Sequence, residues 1–161
     1  MSDQTGSAVA LSQQADERRV AGDYAAAVTL YQQALAVDGG RVDDWVNRGL
    51  TLWYLQRPEA ALECYDRALA LDPQQALAWM NRGNALSDLG RYDEVMTCYD
   101  RALEIDARLA SAWYNKGDEL GRQSRFIEAR ACFENARDLG ITDAAAMVAR
   151  CNAILANEFY G

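Results

Sequence analysis

Small and apolar residues recur along the chain at the spacing of one face of an α-helix. Trp45, Gly49 and Leu52 lie at i, i+4 and i+7, which is the pattern of a helix that buries one side. An Ala-x-x-x-Tyr-x-x-Ala segment follows at the same helical spacing. The pattern therefore predicts two consecutive helices, over about residues 42–55 and 58–71.

The same pattern returns every 34 residues. The residues that keep this step are Trp45, Trp79 and Trp113, Gly49, Gly83 and Gly117, Tyr65, Tyr99 and Phe133, and Ala68, Ala102 and Ala136. A fainter copy comes first, with Ala15 at the glycine position, Tyr31 at the aromatic position and Ala34 at the alanine position. Four repeats therefore fill residues 8–143, and a repeat of this length indicates stacked units that bury each other.

Each repeat is predicted to be a pair of helices. The first helices are predicted over about 8–21, 42–55, 76–89 and 110–123, and the second helices over about 24–37, 58–71, 92–105 and 126–139. Gly22 and Gly90 suit the turn within a pair, where the chain adopts a positive φ. Pro58 suits the first turn of a helix, where its missing N–H costs nothing.

The repeats resemble the tetratricopeptide repeat family. The resemblance is carried by the period of 34, the Trp-x-x-(Arg/Lys)-Gly start, the Ala-x-x-x-(Tyr/Phe)-x-x-Ala second helix and Pro73 in a connecting turn. It implies an all-α chain, a right-handed α-solenoid of four helix-turn-helix units, whose first helices line a concave groove. Leu11 replaces the first tryptophan, so we expect a weaker first repeat.

The period divides the chain into segments. We assign residues 1–7 to a flexible N-terminus, the repeats to 8–41, 42–75, 76–109 and 110–143, and residues 144–161 to a C-terminal capping helix and tail. A stacked array leaves its last apolar face uncovered, so a cap is required. Met147, Cys151 and Ile154 match the packing face of the earlier first helices.

Asparagine recurs at one groove position, as Asn47, Asn81 and Asn115. Asparagine is a poor residue for the interior of a helix, so its recurrence needs a reason. A primary amide offers both a donor and an acceptor and can therefore bind a peptide backbone. Some members of the family hold peptides by such a ladder, and the resemblance implies the same option here. The alternative is a solvated polar residue with no ligand.

An apolar patch within a polar rim is predicted on the same face, which is the composition of a binding hot spot. Its residues are Val46, Leu50, Trp53, Tyr54 and Met80. The remaining predicted peptide contacts are Asn84 and Tyr114. The alternative is that Trp53 and Tyr54 fill the space left by an aromatic residue that Pro58 replaces.

One subclass of the family grips the C-terminal carboxylate of chaperone tails with lysine, asparagine and arginine side chains. Here Ser12 and Asp16 stand where the first pair is needed, and Leu77 and Asn81 where the lysine and arginine are needed. We therefore expect no binding of a chaperone C-terminal tail by a carboxylate clamp.

The composition excludes several function classes. The formal net charge of −8 argues against nucleic acid and anionic membrane surfaces, and no apolar run has the length of a membrane span. The chain has no histidine, no phosphate-binding loop and no catalytic triad, so we expect no catalytic residues, no metal site and no cofactor. Cysteines at 64, 98 and 132 repeat too far apart to share one ion.

The location is expected to be cytoplasmic. The four cysteines indicate free thiols in a reducing compartment, and the start of the chain has no basic leader or long apolar stretch, so we expect no signal peptide.

Together these features predict a non-catalytic protein–protein interaction module that binds a peptide segment of a partner in its concave groove. The net negative charge of the chain favours a partner that carries some basic residues. The alternative is structural self-assembly, as a dimer or a filament, through the ends of the repeat array. The apolar residues predicted at those ends are Leu11, Val20, Val148, Leu155, Phe159 and Tyr160.

Overall fold

The computed structural model describes the backbone of residues 2–160 and the side chains of residues 5–157. In this part of the chain there are nine α-helices and no strand. They are α1 Ser2–Val20, α2 Tyr24–Val37, α3 Val42–Tyr54, α4 Pro58–Leu71, α5 Ala76–Asp88, α6 Tyr92–Ile105, α7 Ala110–Arg122, α8 Phe126–Asp138 and α9 Ala144–Tyr160. The predicted all-α helical-repeat class is confirmed.

The bounds of the helices follow the 34-residue period closely. Helices α2 to α8 begin and end within one residue of the predicted bounds. Helix α1 begins at Ser2, six residues before its predicted start, so residues 2–7 belong to this helix. These residues are polar or glycine and carry no apolar period, which is why the pattern did not include them.

Two compact units make up the chain, and each is described by itself: the N-terminal unit, Met1–Tyr92, and the C-terminal unit, Asp93–Gly161. In the N-terminal unit α1 packs against α2, α3 packs against both α2 and α4, and α5 packs against α4. The first helices of successive repeats also touch, since α3 contacts both α1 and α5.

A close contact between glycine and an aromatic ring joins α3 to α4. Tyr65 is fully buried and packs with Leu52 and Ala61 in one core cluster. A Cβ atom built on Gly49 would lie 2.6 Å from the Tyr65 ring, far inside van der Waals contact. The absence of a side chain at this position lets the aromatic ring approach the backbone of α3.

The C-terminal unit repeats this contact between α7 and α8, where a Cβ atom on Gly117 would lie 2.9 Å from the Phe133 ring. Helix α9 packs on α8. Its residues Ala144, Val148 and Cys151 are buried in the same core cluster as Phe133. This is the packing that a capping helix requires.

The turns within the four pairs share one backbone geometry. The predicted turn glycines have positive φ angles, 80° at Gly22 and 71° at Gly90. The equivalent positions in the other repeats are Gln56 and Ser124, with φ angles of 59° and 60°. Each of the four residues donates its N–H to the carbonyl three residues before it. The turn is therefore fixed by the helix end, even where the residue is not glycine.

The tryptophans of the period tie each repeat to the turn that precedes it. The indole Nε1 of Trp45 donates to the carbonyl of Gly39, that of Trp79 to Pro73, and that of Trp113 to Ala107, each at 2.9 Å. Each bond spans six residues, so each tryptophan side chain fixes the turn that leads into the tryptophan's own helix.

We expect Gly49→Ala to lower the free energy of unfolding by about 1–3 kcal/mol, because the added methyl group overpacks the contact with Tyr65. Gly121→Ala is the matched control, since a Cβ atom there meets nothing within 4 Å. Its expected effect is a gain of up to about 1 kcal/mol from helix propensity. Urea unfolding measures both, and equal effects of the two variants would contradict the overpacking argument.

Candidate functional site

A pocket of about 360 Å³ opens in the N-terminal unit between α1, α3 and the start of α5. We call it the first-helix pocket. The residues that line it are Val9, Ser12, Gln13, Asp16, Arg41, Asp43, Asp44, Val46, Asn47, Gln75 and Leu77. Val46 and Asn47 were predicted as peptide contacts, and Ser12, Asp16 and Leu77 hold the clamp positions named above. The structure therefore brings predicted groove residues of three repeats to one pocket.

A buried carboxylate connects two of the helices around the pocket. Asp44 is 3% exposed, and its Oδ2 lies 2.5 Å from the hydroxyl of Ser12 on α1. Arg41 donates its Nε–H to the same oxygen at 2.6 Å, and this bond is the main reason why the pKa of the Arg41 guanidinium is raised. A buried charge needs such partners, so this group holds α1 and α3 in register at the pocket.

A second carboxylate, that of Asp16, also lines the pocket. Its Oδ1 accepts hydrogen bonds from the Tyr31 hydroxyl and, at 3.4 Å, from the Asn47 amide. Arg19 lies beside both groups, with its Nε 3.3 Å from the Tyr31 hydroxyl oxygen. Burial, followed by the bond to Asp16, raises the pKa of Tyr31. Asn47 is thus already oriented by a neighbouring repeat before any ligand arrives.

The three predicted ladder asparagines differ in their exposure. Asn47 and Asn115 are half-buried, whereas Asn81 is buried with 7% exposed. Asn47 and Asn81 belong to the N-terminal unit and Asn115 to the C-terminal unit. Asn47 is the ladder residue that lines the first-helix pocket.

The aromatic residues at the end of α3 form a small cluster. The indole Nε1 of Trp53 donates to Asp88 Oδ2 at 2.6 Å, and Trp53 packs against the Tyr65 core cluster. Tyr54 is 46% exposed and stacks on Tyr24 at 5.1 Å between ring centroids. Tyr24 holds in the first repeat the position that Pro58 holds in the second, and the sequence reasoning did not assign it to this cluster.

The apolar side chains predicted for the patch are only partly at the surface. Val46 and Met80 are buried, with 5% and 8% of their surface exposed, and Leu50 is half-buried. Leu77, at 46% exposed, supplies apolar surface to the first-helix pocket. The last two predicted contacts are Asn84, which is half-buried, and Tyr114 of the C-terminal unit. The rings of Tyr114 and Phe133 pack in a T-shaped arrangement with 5.4 Å between their centroids.

The four cysteines all lie in the described part of the chain, where they form no disulfide and are buried. Burial raises the pKa of the Cys64, Cys132 and Cys151 thiols, which keeps them in the unreactive protonated form. Among the residues that the structure describes, no group of three or more metal-ligating side chains could hold an ion. In the same part of the chain, no helix has the length and apolarity that crossing a membrane requires.

Comparison with known families agrees with this architecture. A tetratricopeptide repeat model matches residues 46–110, and a second model of the same family matches residues 110–138. Together they span more than half of the chain, and the chain belongs to the tetratricopeptide repeat family. The first repeat, which was predicted to be the weaker one, lies outside both matches. No curated protein matches the sequence.

Solved structures with the same fold include that of MamA, with a TM-score of 0.78 and 21% identity over 94% of this chain and 82% of that one. YrrB, a repeat protein with an unusual peptide-binding site, has a TM-score of 0.73 and 24% identity over 89% and 74%. The first repeat domain of Spaghetti (RPAP3), bound to the HSP90 peptide SRMEEVD, has a TM-score of 0.72 and 21% identity over 74% and 95%. At these identities the likeness shows the fold.

Two equivalent tyrosines should respond oppositely to loss of the hydroxyl. We expect Tyr31→Phe to lower the free energy of unfolding by about 1.5–3 kcal/mol, because Asp16 loses a donor. Tyr65→Phe should leave it unchanged or raise it, because the Tyr65 hydroxyl is buried without a partner. Urea unfolding of both variants tests this, and equal losses would contradict it.

The pH dependence of the free energy of unfolding above pH 10 provides the control for Tyr65→Phe. Burial raises the pKa of Tyr65 above its usual value of 10, so its neutral form is stabilising below pH 10 and that contribution is lost as the pH rises further. Tyr65→Phe should therefore flatten the loss of stability above pH 10 relative to the wild type.

Proposed function

We propose that the chain is a non-catalytic protein-interaction module that binds a peptide segment of a partner along the first-helix faces of its repeats. The observation that carries the proposal is the first-helix pocket, where groove positions of three repeats converge. A cleft with a few oriented polar groups and some apolar lining is the usual form of a binding site. We place this module in the cytoplasm.

The charge of the pocket favours a basic segment. Asp16, Asp43 and Asp44 line it, with Arg41 as the single cation among its lining residues. Asp44 is neutralised by Arg41, whereas Asp43 is exposed and accepts only a neutral amide bond from Gln75. A lysine or arginine of the partner would therefore find a carboxylate at the pocket rim.

The predicted contact residues have separate roles in this proposal. Asn47, fixed by Asp16, would bind the backbone of the segment. Asn81 is buried with 7% exposed and Asn115 belongs to the C-terminal unit, so a ladder of three asparagines stays a prediction. Tyr54 and Leu77, both 46% exposed, would bind apolar side chains of the segment.

Peptide binding by relatives of the same fold supports this class of function. One neighbour has a peptide-binding site, and another is bound to the HSP90 peptide SRMEEVD. In this chain Ser12, Asp16 and Leu77 stand where a carboxylate clamp requires basic or amide side chains. Our proposal therefore excludes a chaperone C-terminal tail as the ligand of this pocket.

Selection from a random peptide library against the wild-type chain tests the proposal. We expect the selected peptides to share basic residues next to an apolar residue. Leu77→Lys should weaken their binding by at least about tenfold, because it removes apolar surface and adds a positive charge that repels a basic segment. Isothermal titration measures the affinities.

Ile127→Lys is the matched control for this variant. Ile127 is an exposed aliphatic residue, at 59% exposed, and the substitution changes the net charge by the same amount. We expect it to leave the affinity unchanged. Selected peptides that bind Leu77→Lys as well as they bind the wild type would rule out the first-helix pocket as their site.

The alternative function, self-assembly through the array ends, is favoured by Val20, which is 81% exposed at the end of α1. Of the other residues predicted for it, Leu11 and Leu155 are half-buried, Val148 is buried, and the side chains of Phe159 and Tyr160 lie outside the described part. We expect sedimentation velocity to show a monomer at high concentration. A dimer or filament that Val20→Asp disperses would instead favour self-assembly.

A further inference from the structure

A second pocket, of about 380 Å³, lies in the N-terminal unit on a different face of α3. It is lined by Val28 and Gln32 of α2, by Trp45, Arg48 and Leu52 of α3, by Arg57 directly before α4, and by Ala60, Glu63, Cys64 and Arg67 of α4. We call it the arginine pocket. Three arginines, Arg48, Arg57 and Arg67, line it together with one carboxylate, Glu63, so its lining is basic in a chain of net charge −8.

The internal repeat shows what is unusual about Arg48. The basic residues at its position in the third and fourth repeats each pair with an aspartate of the preceding second helix. Arg82 lies 2.8 Å from Asp66, and Lys116 lies 2.6 Å from Asp100. The same register pairs Arg48 with residue 32, which is Gln32. The carboxylate is missing only from the copy that lines the arginine pocket.

Arg67 and Arg57 depart from the repeat in the same way. Arg101, the counterpart of Arg67, pairs with Glu104 three residues later, whereas the residue three after Arg67 is Ala70. Arg125, a counterpart of Arg57, pairs with Glu128 three residues later. The residue three after Arg57 is Ala60.

The three arginines therefore keep their charge without an internal counterion. Within the described part of the chain, no carboxylate lies within ion-pair distance of Arg48, Arg57 or Arg67. The Nε of Arg48 is buried without a hydrogen-bond partner, while its Nη1 lies 3.6 Å from Cys64 Sγ. An unpaired buried donor costs free energy. Arg48 also lines the pocket, where a carboxylate from outside the chain would neutralise the charge of its guanidinium.

We propose that the arginine pocket is a second binding site, which takes a glutamate- or aspartate-bearing segment of a partner protein. Guanidinium groups bind carboxylates by paired N–H donors. Trp45 and Leu52 supply apolar lining beside these charges, which suits the side chain of a peptide more than a free ion. The site lies apart from the first-helix pocket and has the opposite charge preference, so it does not rest on the proposed function of that pocket.

The test uses the intact chain and a short oligoglutamate peptide, acetylated and amidated at its ends. NMR titration should give saturable shifts of the Trp45 indole N–H and of the Nε–H signals of the three arginines. The affinity should fall as ionic strength rises, because the contacts are partly exposed ion pairs.

The decisive variant is Gln32→Asp/Ala60→Glu/Ala70→Glu, which places carboxylates around the arginine pocket at the positions where other repeats carry them. We expect it to weaken binding of the peptide by at least about tenfold, because each arginine gains an internal partner. Gln33→Glu/Ala36→Glu/Gln74→Glu changes three exposed residues outside the lining of this pocket and adds the same charge. This control should bind as the wild type does, apart from a small uniform loss.

Each other outcome overturns the proposal. These outcomes are the absence of saturable shifts in the wild type, an equal loss in both triple variants, and undiminished binding by the Gln32→Asp/Ala60→Glu/Ala70→Glu variant. Saturation by inorganic phosphate at the same residues, with no response to the peptide, would assign the pocket to a small anion instead. If the triple variant does not fold by circular dichroism, Gln32→Asp alone carries the test. Leu77→Lys, which weakens binding at the first-helix pocket, should leave binding of the oligoglutamate peptide unchanged, which separates the two sites.

Discussion

The structure of two helix pairs, α3 with α4 and α7 with α8, depends on a glycine meeting an aromatic ring. Where Gly49 faces Tyr65 and Gly117 faces Phe133, the distance from a notional Cβ atom to the ring is 2.6–2.9 Å. No side chain fits there, so the two helices approach more closely than alanine would allow. The ring then fills the centre of the pair, and the remaining faces of both helices are free to pack against the next pair or to form pockets.

Most of the fold could be predicted from the sequence because one contact pattern is repeated. The same residue types return at the same positions of each repeat, so the bounds of α2 to α8 followed from the period alone. The period could not predict features that no particular residue type marks in the sequence. Helix α1 begins in a polar stretch at Ser2, and the positive φ angles of Gln56 and Ser124 are set by the helix end rather than by residue type.

The candidate sites were only partly predictable. The groove face could be assigned from helical spacing, but the burial of each residue on that face could not. The spacing of Val46 and Met80 fits an exposed position as well as it fits a buried one. The arginine pocket was missed, although the sequence carries its signal. Comparing repeats by their differences, as at Gln32, Ala60 and Ala70, would have identified charges without partners.

The buried cysteines give the array a property that the helices alone do not have. Cys64, Cys98 and Cys132 occupy one equivalent position in three successive repeats, each at 5% exposure or less. A thiol-modifying reagent reaches such a sulfur only during local opening. Each of these repeats thus contains its own chemical reporter at matched depth, and the rates of alkylation of the three sulfurs distinguish repeats that open singly from repeats that open together.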